Sequence, residues 1–315
     1  MNKTLLASAL LLMALLSTSC SVVSLGYNNA NWYLRYKITG YTSFDTSQKE
    51  RIRQEVDNFM VWHRSAMLPE YAAFLRKIDR LLQTGVIGKE DVAALRSELR
   101  GLMKKTLEPA ITPTARILNR LDHGQIHELA HNLNEDNRKR GEELLSGTHE
   151  DRLSKRAEKT IDIFEDFTGN LSSAQEEKIT RMSRELPFAT AIFLKTRQSN
   201  QTHIAGLLRQ KAGQDKLASF MKLWLLTPEK TRIPDDQRIV EEFEAGSDQM
   251  IASGYALLTA QQKERLRESV LDYITEIEAL NKQTEMAQKQ KNGKAAMLLD
   301  PFDLSRGLGA DHGVI

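Results

Sequence analysis

The chain has 315 residues, 27% of them charged, with a formal net charge of +2. A balance so close to neutral excludes a general nucleic-acid binder, which needs a net basic face to displace counterions from phosphates. A single cysteine excludes an internal disulfide, and 7 Pro, 17 Gly and 6% aromatic residues are sparse punctuation that predicts an all-α fold.

The first element is a leader. Lys3 precedes an almost wholly apolar run over 5–16, and Ser17, Thr18 and Ser19 lead into Cys20. Charged, apolar and small segments in that order make a secretory signal, and the run is shorter than the roughly 20 residues a spanning helix needs. A cysteine after small residues resembles the lipobox of bacterial lipoproteins. One feature departs from it: the family usually has Leu three residues before the cysteine, where this chain has Ser17, with Leu16 one further back. The resemblance implies removal of 1–19 and acylation of Cys20 as the new N-terminus. Ser21, rather than Asp, after the cysteine implies sorting to the outer membrane, facing the periplasm. Three acyl chains hold a protein far more firmly than one, which anchors only marginally. The alternative is an ordinary secretory signal that leaves Cys20 a free thiol or removes it. Loss of 1–19 takes away only Lys3, so the mature chain stays nearly neutral.

Residues 20–31 read as a tether and 32–285 as one helical domain. A small helix bearing Trp32, Tyr33 and Tyr36 stops near Gly40. Its aromatics are expected to pack on the next helix, with an interfacial belt at a membrane as the alternative. Asp45 or Thr46 then caps a long helix to Gly85, the expected spine. Ile52, Val56, Phe59, Met60, His63 and Met67, then Tyr71, Leu75, Ile78 and Leu82, recur at steps of three and four and mark a buried stripe. Pro69 lacks a donor and disfavours α geometry at Leu68, which predicts a kink. His63 on this stripe reads as a hydrogen-bonded core histidine rather than a ligand.

A third helix is expected over 89–106 on Val92, Leu95, Leu99 and Leu102, ending before Pro109, and Thr112-Pro113 opens a separate short helix to Arg120. The next helix, 123–140, finishes in a polar stretch over 134–140 that reads as a solvated end. After Gly147 comes a helix on Leu153, Ala157, Ile161, Phe164 and Phe167, closed by Gly169. Its Arg152, Lys155, Arg156 and Lys159 form a basic edge, read as solvated, with anionic lipid headgroups the alternative contact. A helix over 172–197 kinked at Pro187 and one over 202–226 broken by Gly206 and Gly213 follow. Pro228 and Pro234 mark a linker at 227–236 and a sub-boundary of the domain. Helices over 237–256 and 260–285 complete about ten. The second carries Leu266, Val270, Tyr273, Ile277 and Leu280, and residues 286–315 read as a disordered tail.

Four helices begin alike. Phe44-Asp45-Thr46-Ser47-Gln48, Leu121-Asp122-His123-Gly124-Gln125, Leu171-Ser172-Ser173-Ala174-Gln175 and Leu258-Thr259-Ala260-Gln261-Gln262 all run apolar residue, N-cap, two residues, Gln. This is a capping box with its hydrophobic staple: the N-cap side chain accepts from the third helical amide, and Gln reaches back to the N-cap amide. Spacings of 77, 50 and 87 residues are too irregular for a solenoid. The pattern resembles the LTxxQ motif of the periplasmic Spy and CpxP proteins, and Leu258 to Gln262 matches it to the letter. That resemblance implies a small all-helical protein of a group containing chaperones and stress sensors, some of which bind zinc. A wider resemblance rests on Leu25-Gly26-Tyr27-Asn28 with Trp32, then Phe44 to Gln48, Trp62-His63-Arg64 and Leu68-Pro69-Glu70-Tyr71. These are similar to an uncharacterised family of proteobacterial lipoproteins over nearly the whole mature chain. It implies an architecture and an address, with no activity attached.

His127-Glu128-Leu129-Ala130-His131 is an HExxH. On a helix it sets two imidazoles one turn apart with a carboxylate beside them, and His123 extends the face by a turn. Glu150 or Glu158 could add a ligand. Against a zinc peptidase stand the lack of any convincing edge strand and of a downstream ligand motif. The face therefore reads as a plain polar surface, with a non-catalytic zinc site on His123, His127 and His131 as the alternative and a zinc hydrolase third. The leading expectation is a non-catalytic outer-membrane lipoprotein without a required cofactor, held by membrane lipid at Cys20. It would act in the periplasm as a binding or chaperone-like module for unfolded or envelope proteins.

Overall fold

The computed structural model describes residues 22–298, with side chains over 24–283. The leader at 1–19, the acylation candidate Cys20 and residues 299–315 lie outside the described residues. Among the described residues are eleven α-helices, one 3-10 turn and no strand, so the fold is all-α. No helix among them is long and apolar enough to cross a membrane.

The helices are α1 (Val22–Asn28), α2 (Ala30–Thr39), α3 (Thr46–Gln83), α4 (Lys89–Leu118), α5 (His123–Leu145) and α6 (His149–Thr168). They continue as α7 (Ser173–Glu185), α8 (Thr190–Arg209), α9 (Gln214–Leu226), the 3-10 turn Pro228–Thr231, α10 (Pro234–Leu257) and α11 (Ala260–Leu298). The long α3 is the spine: α11 lies along it, and α2 and α4 pack on it too. Its stripe buries Ile52, Val56, Met60, Met67 and Leu82. Two main cores result. One gathers Phe44, Ile52, Ile111, Leu121, Leu129, Ile204 and Leu217 at the start of α3, and the other gathers Leu82, Leu171, Ile179, Leu258, Val270 and Ile274 near its end.

Pro69 lies inside a continuous α3, as the expected long spine helix requires. Pro109 and Pro113 also lie inside one helix, so the expected break and second helix merge into α4. Each interior proline costs about 3 kcal/mol. The extension buries Ile111 and Ala115 to 1% and 0% exposure and packs Ile117 and Leu118 on the first core. At about 1.5–3 kcal/mol for each large aliphatic side chain, this burial is comparable with the cost of the two prolines and offsets the local signal.

At Pro187 the opposite holds. Instead of a kinked helix there are two, because Leu186, as the residue before a proline, adopts an extended ψ of 143° and ends α7. Three carbonyls at that end accept from Arg156, whose guanidinium reaches Ser183 at 2.6 Å, Leu186 at 2.9 Å and Pro187 at 3.1 Å. Arg152 likewise donates to the Leu145 and Gly147 carbonyls at 3.1 and 2.9 Å. The solvated basic edge therefore shrinks to Lys155 and Lys159, which are exposed.

Other boundaries shift too. The polar stretch over 134–140 is mid-helix in α5, where Asp136 and Asn137 meet Arg197 and Gln201 of α8. Part of the tether is the helix α1, docked through Tyr27 and Arg64, and the backbone of α11 runs past 285 to Leu298. The 227–236 stretch holds the 3-10 turn and is tied to α8 by a 3.1 Å bond from Asn200 to Thr231. Leu99 and Tyr273, assigned to buried stripes, are exposed. So are Trp32, Tyr33 and Tyr36: they do not pack on α3, because α2 presents its opposite side, Leu34 and Asn31, to the body.

Candidate functional site

The four capping glutamines do more than cap. Gln48 and Gln125 exchange side-chain bonds of 3.0 and 2.7 Å, and Gln175 and Gln262 exchange bonds of 2.8 and 3.2 Å. The N-terminus of α3 is thereby joined to that of α5, and α7 to α11. The staple residues Phe44, Leu121, Leu171 and Leu258 are all buried beneath these junctions, as the capping reading requires.

Glu128, the carboxylate of the HExxH, is occupied by one of these junctions. It accepts from Ser43 N at 2.6 Å, Thr42 Oγ1 at 2.9 Å and Ser43 Oγ at 3.0 Å. These bonds, the Ser43 backbone donor first, hold its carboxyl below the usual Glu range. Ser43 in turn offers its carbonyl to Gln125 Nε2 at 3.0 Å. Both carboxylate oxygens thus brace the loop that leads into Phe44. His123, His127 and His131 are exposed on α5. Glu150 of α6 is ion-paired with Arg184, and Glu158 is exposed on the same helix. Among the described residues, no group of three or more His, Cys, Asp or Glu is placed to hold a metal ion.

His63 is built into a relay. Tyr27 Oη is hydrogen-bonded to His63 Nδ1 at 2.7 Å, and Tyr71 Oη lies 3.4 Å from Nε2 and 2.5 Å from Thr106 Oγ1. Burial pushes the imidazole below its ordinary value and pushes the Tyr27 phenol up to about 12, so the phenol stays protonated. The relay joins α1, α3 and α4 as a structural strut.

What remains open and apolar is a trough between helices. A cavity of about 420 Å³ lies between α2 (Leu34, Ile38), α3 (Val56, Phe59, Trp62) and α4 (Pro109, Pro113, Ile117). A second, of about 280 Å³, is lined by Phe44, Leu129, Leu133, Ile204, Met221 and Trp224 and shares Ile38, Thr114 and Ile117 with the first. The two lie side by side at α2, with Ile38, Thr114 and Ile117 as their common wall. Glu55 and Asn58 stand at its wall, and Glu55 is paired with Arg116 at 3.1 Å. A third cavity of about 280 Å³ lies in the other core, between Ile78, Val92, Phe167 and Ile251. The wall of the trough is the Pro109–Ile117 stretch, where the sequence predicts a break before Pro109 and a separate short helix from Thr112, so the trough is not apparent from it. The signal that could have found it is the apolar spacing Ala110, Ile111, Ala115, Ile117 continuing through both prolines.

These features define an all-α protein with an apolar trough and a committed HExxH carboxylate. The model of DUF6279, a family of unknown function, matches residues 40–231, from the loop before α3 to the 3-10 turn, and the chain belongs to this family. No curated protein and no solved structure matches it.

Proposed function

We propose that the chain is a lipid-anchored, non-catalytic binding module on the periplasmic side of the outer membrane, holding apolar segments of unfolded or envelope proteins. The address rests on the lipobox-like run into Cys20 and the likeness to proteobacterial lipoproteins. The activity rests on one observation: the two adjacent cavities at α2, lined by Ile38, Phe59, Trp62, Ile117 and Trp224, present open apolar surface. Open apolar surface of this kind marks interaction sites. The likeness of the four cap motifs to LTxxQ proteins, whose members include chaperones, points the same way.

The test is aggregation of a chemically unfolded client in the presence of the purified protein. Suppression at several-fold excess is expected, with loss on Ile117→Asp, which places a charge where the two cavities meet. Unchanged client aggregation at that excess would remove the binding reading.

A further inference from the structure

We propose that the exposed face of α2 carrying Trp32, Tyr33 and Tyr36 sits in the headgroup layer of the phospholipid bilayer that anchors the chain, so that the body rides directly on the membrane. This rests on the lipid anchor proposed above and adds the orientation of the body.

Three aromatic side chains on one short helix are exposed to 65%, 52% and 61%, although the fold has apolar grooves within reach. At 3.6 residues per turn they fall within about 100° of arc. Trp32 and Tyr36 are stacked, with ring centroids 5.6 Å apart and planes at 8°. The helix cannot turn them inward. Its other side is fixed: Asn31 donates to Asp57 at 2.7 Å, Arg35 is ion-paired with the same carboxylate, and Leu34 and Ile38 wall the trough. An aromatic surface held outward by a locked helix has been left for something outside the fold.

The path to Cys20 identifies that partner. The helix α1 begins at Val22, two residues after Cys20, and is not a free leash. Tyr27 is bonded to His63 at 2.7 Å, and Arg64 donates to Asn28 at 2.7 Å while lying over the Tyr27 ring. Eleven residues, nine of them in α1 and α2, separate Cys20 from Trp32, a contour of roughly 20 Å at about 1.5 Å per residue. An acyl chain on Cys20 would therefore bring α2 to the surface of the membrane. Leu25 of α1, on the same stretch, is also exposed at 62%.

The chemistry of the face fits that location. Indole and phenol rings join an apolar body to a polar tip and are enriched where hydrocarbon meets headgroups. The Lys37 ammonium lies 5.7 Å from the Tyr33 ring centroid and would sit at the level of lipid phosphates.

The experiment uses the full chain with acylated Cys20 in vesicles of phosphatidylethanolamine and phosphatidylglycerol, with and without bromine on the lipid acyl chains. Bromine quenches tryptophan only at close range, and comparison with Trp32→Phe isolates Trp32 from Trp62 and Trp224. The expected result is co-flotation with the vesicles and strong quenching of the wild type, most of it lost in Trp32→Phe. A floating protein whose quenching is the same with and without Trp32 would overturn the docking while leaving the anchor in place. Shielding of Trp32 from aqueous iodide without bromine quenching would overturn it in favour of a second copy on the α2 face. Failure to float would overturn the anchor and, with it, the docking.

Discussion

Gln175 and Gln262, 87 residues apart, hold each other in a closed pair. Each side-chain amide donates to the other, and each also donates to the backbone carbonyl two residues before its partner's N-cap, Leu257 and Asn170, at 2.8 and 2.9 Å. Each oxygen accepts in addition from its own N-cap amide, at Ser172 and Thr259, at 2.8 and 2.9 Å. All four hydrogen-bonding positions of each glutamine are filled. Gln48 and Gln125 repeat the arrangement against the carbonyls of Arg120 and Ser43. Two such clasps, one above each core, fasten helices distant in sequence.

Gln175→Leu keeps the bulk but takes the side-chain donor from the Leu257 carbonyl and leaves one donor and one acceptor position of Gln262 unfilled in a buried place. A buried group left unpaired costs about 1–3 kcal/mol, so a loss of about 3 kcal/mol is expected. Urea unfolding should show a lower midpoint at unchanged slope. The double change Gln175→Leu with Gln262→Leu should cost less than the sum of the two single changes by about 1 kcal/mol, since both partners leave together. Additive costs would show that the glutamines act only as separate caps.

The caps were legible in the sequence because a capping box is local: five residues specify it. The clasp was not, because nothing within those five residues says which helix start will meet which. The helix bodies were legible wherever burial and local propensity agreed, as at Ile52, Val56 and Met60. They were misread where the two conflicted. Pro109 and Pro113 signal a stop that the burial of Ile111 and Ala115 overrides, and with that stop the trough wall went unseen. Trp32, Tyr33 and Tyr36 were misplaced for a related reason. An aromatic ring predicts burial, but Asn31, Arg35 and Leu34 fix the opposite side of α2 to the body and leave these rings exposed.

Arg96 of α4 makes a two-pronged contact with Asp248 of α10, at 2.9 and 2.8 Å, and also reaches Glu244 at 2.7 Å. Asp248 is only 4% exposed. Removing the cation strands a buried carboxylate. Such changes cost about 3–5 kcal/mol when both partners are fully buried, and Arg96 keeps part of its side chain in water, so Arg96→Ala should cost about 2 kcal/mol. Arg96→Ala with Asp248→Asn should recover a measurable part of that loss in the same denaturation experiment. No recovery would mean that the loss came from packing.

Gly254 permits a close helix contact. A Cβ there would lie 2.4 Å from the Phe164 ring, so α10 and α6 meet only because the side chain is absent. The Phe164 ring also lines the cavity of about 280 Å³ in the second core, so a methyl group would have to drive it out of its packed position towards that space. Gly254→Ala is expected to destabilise by about 1–3 kcal/mol, although alanine is the better helix former. A rise in melting temperature would show that α10 shifts to accommodate the methyl group.

Among the groups that give acid sensitivity, His63 and Glu128 act in separate windows. The imidazole of His63 is held neutral by burial, below its ordinary value of 6.5. The unfolded chain therefore binds a proton first as the pH drops, so the contribution of His63 is complete above about pH 6.5 and is lost as pH falls through the lower folded value. Glu128 is lowered from 4.5 by the Ser43 and Thr42 donors. Its contribution is complete above about pH 4.5 and disappears only in stronger acid. Unfolding free energy measured against pH should decline in two stages. His63→Gln should flatten the first stage and Glu128→Gln the second. A curve unchanged between pH 6.5 and 5 in His63→Gln would show that the buried relay does not govern that window.

Glu128 also separates the two meanings of HExxH. As a general base it would need a free oxygen facing a metal-bound water, with His127 and His131 turned toward the same metal. Here both oxygens are engaged by Ser43 and Thr42, and the nearest consequence of losing the charge is structural: the loop into Phe44 loosens and the Gln48–Gln125 clasp loses its brace. Glu128→Gln should therefore lower the melting temperature, while His127→Ala, at an exposed position, should leave it unchanged. Elemental analysis of the dialysed full chain should find less than stoichiometric zinc in wild type and His127→Ala alike. One zinc per chain, lost in His127→Ala, would instead assign the exposed histidines of α5 to a metal. Glu128 would then have to let go of Ser43 whenever zinc binds, and the melting temperature of the wild type would respond to added zinc.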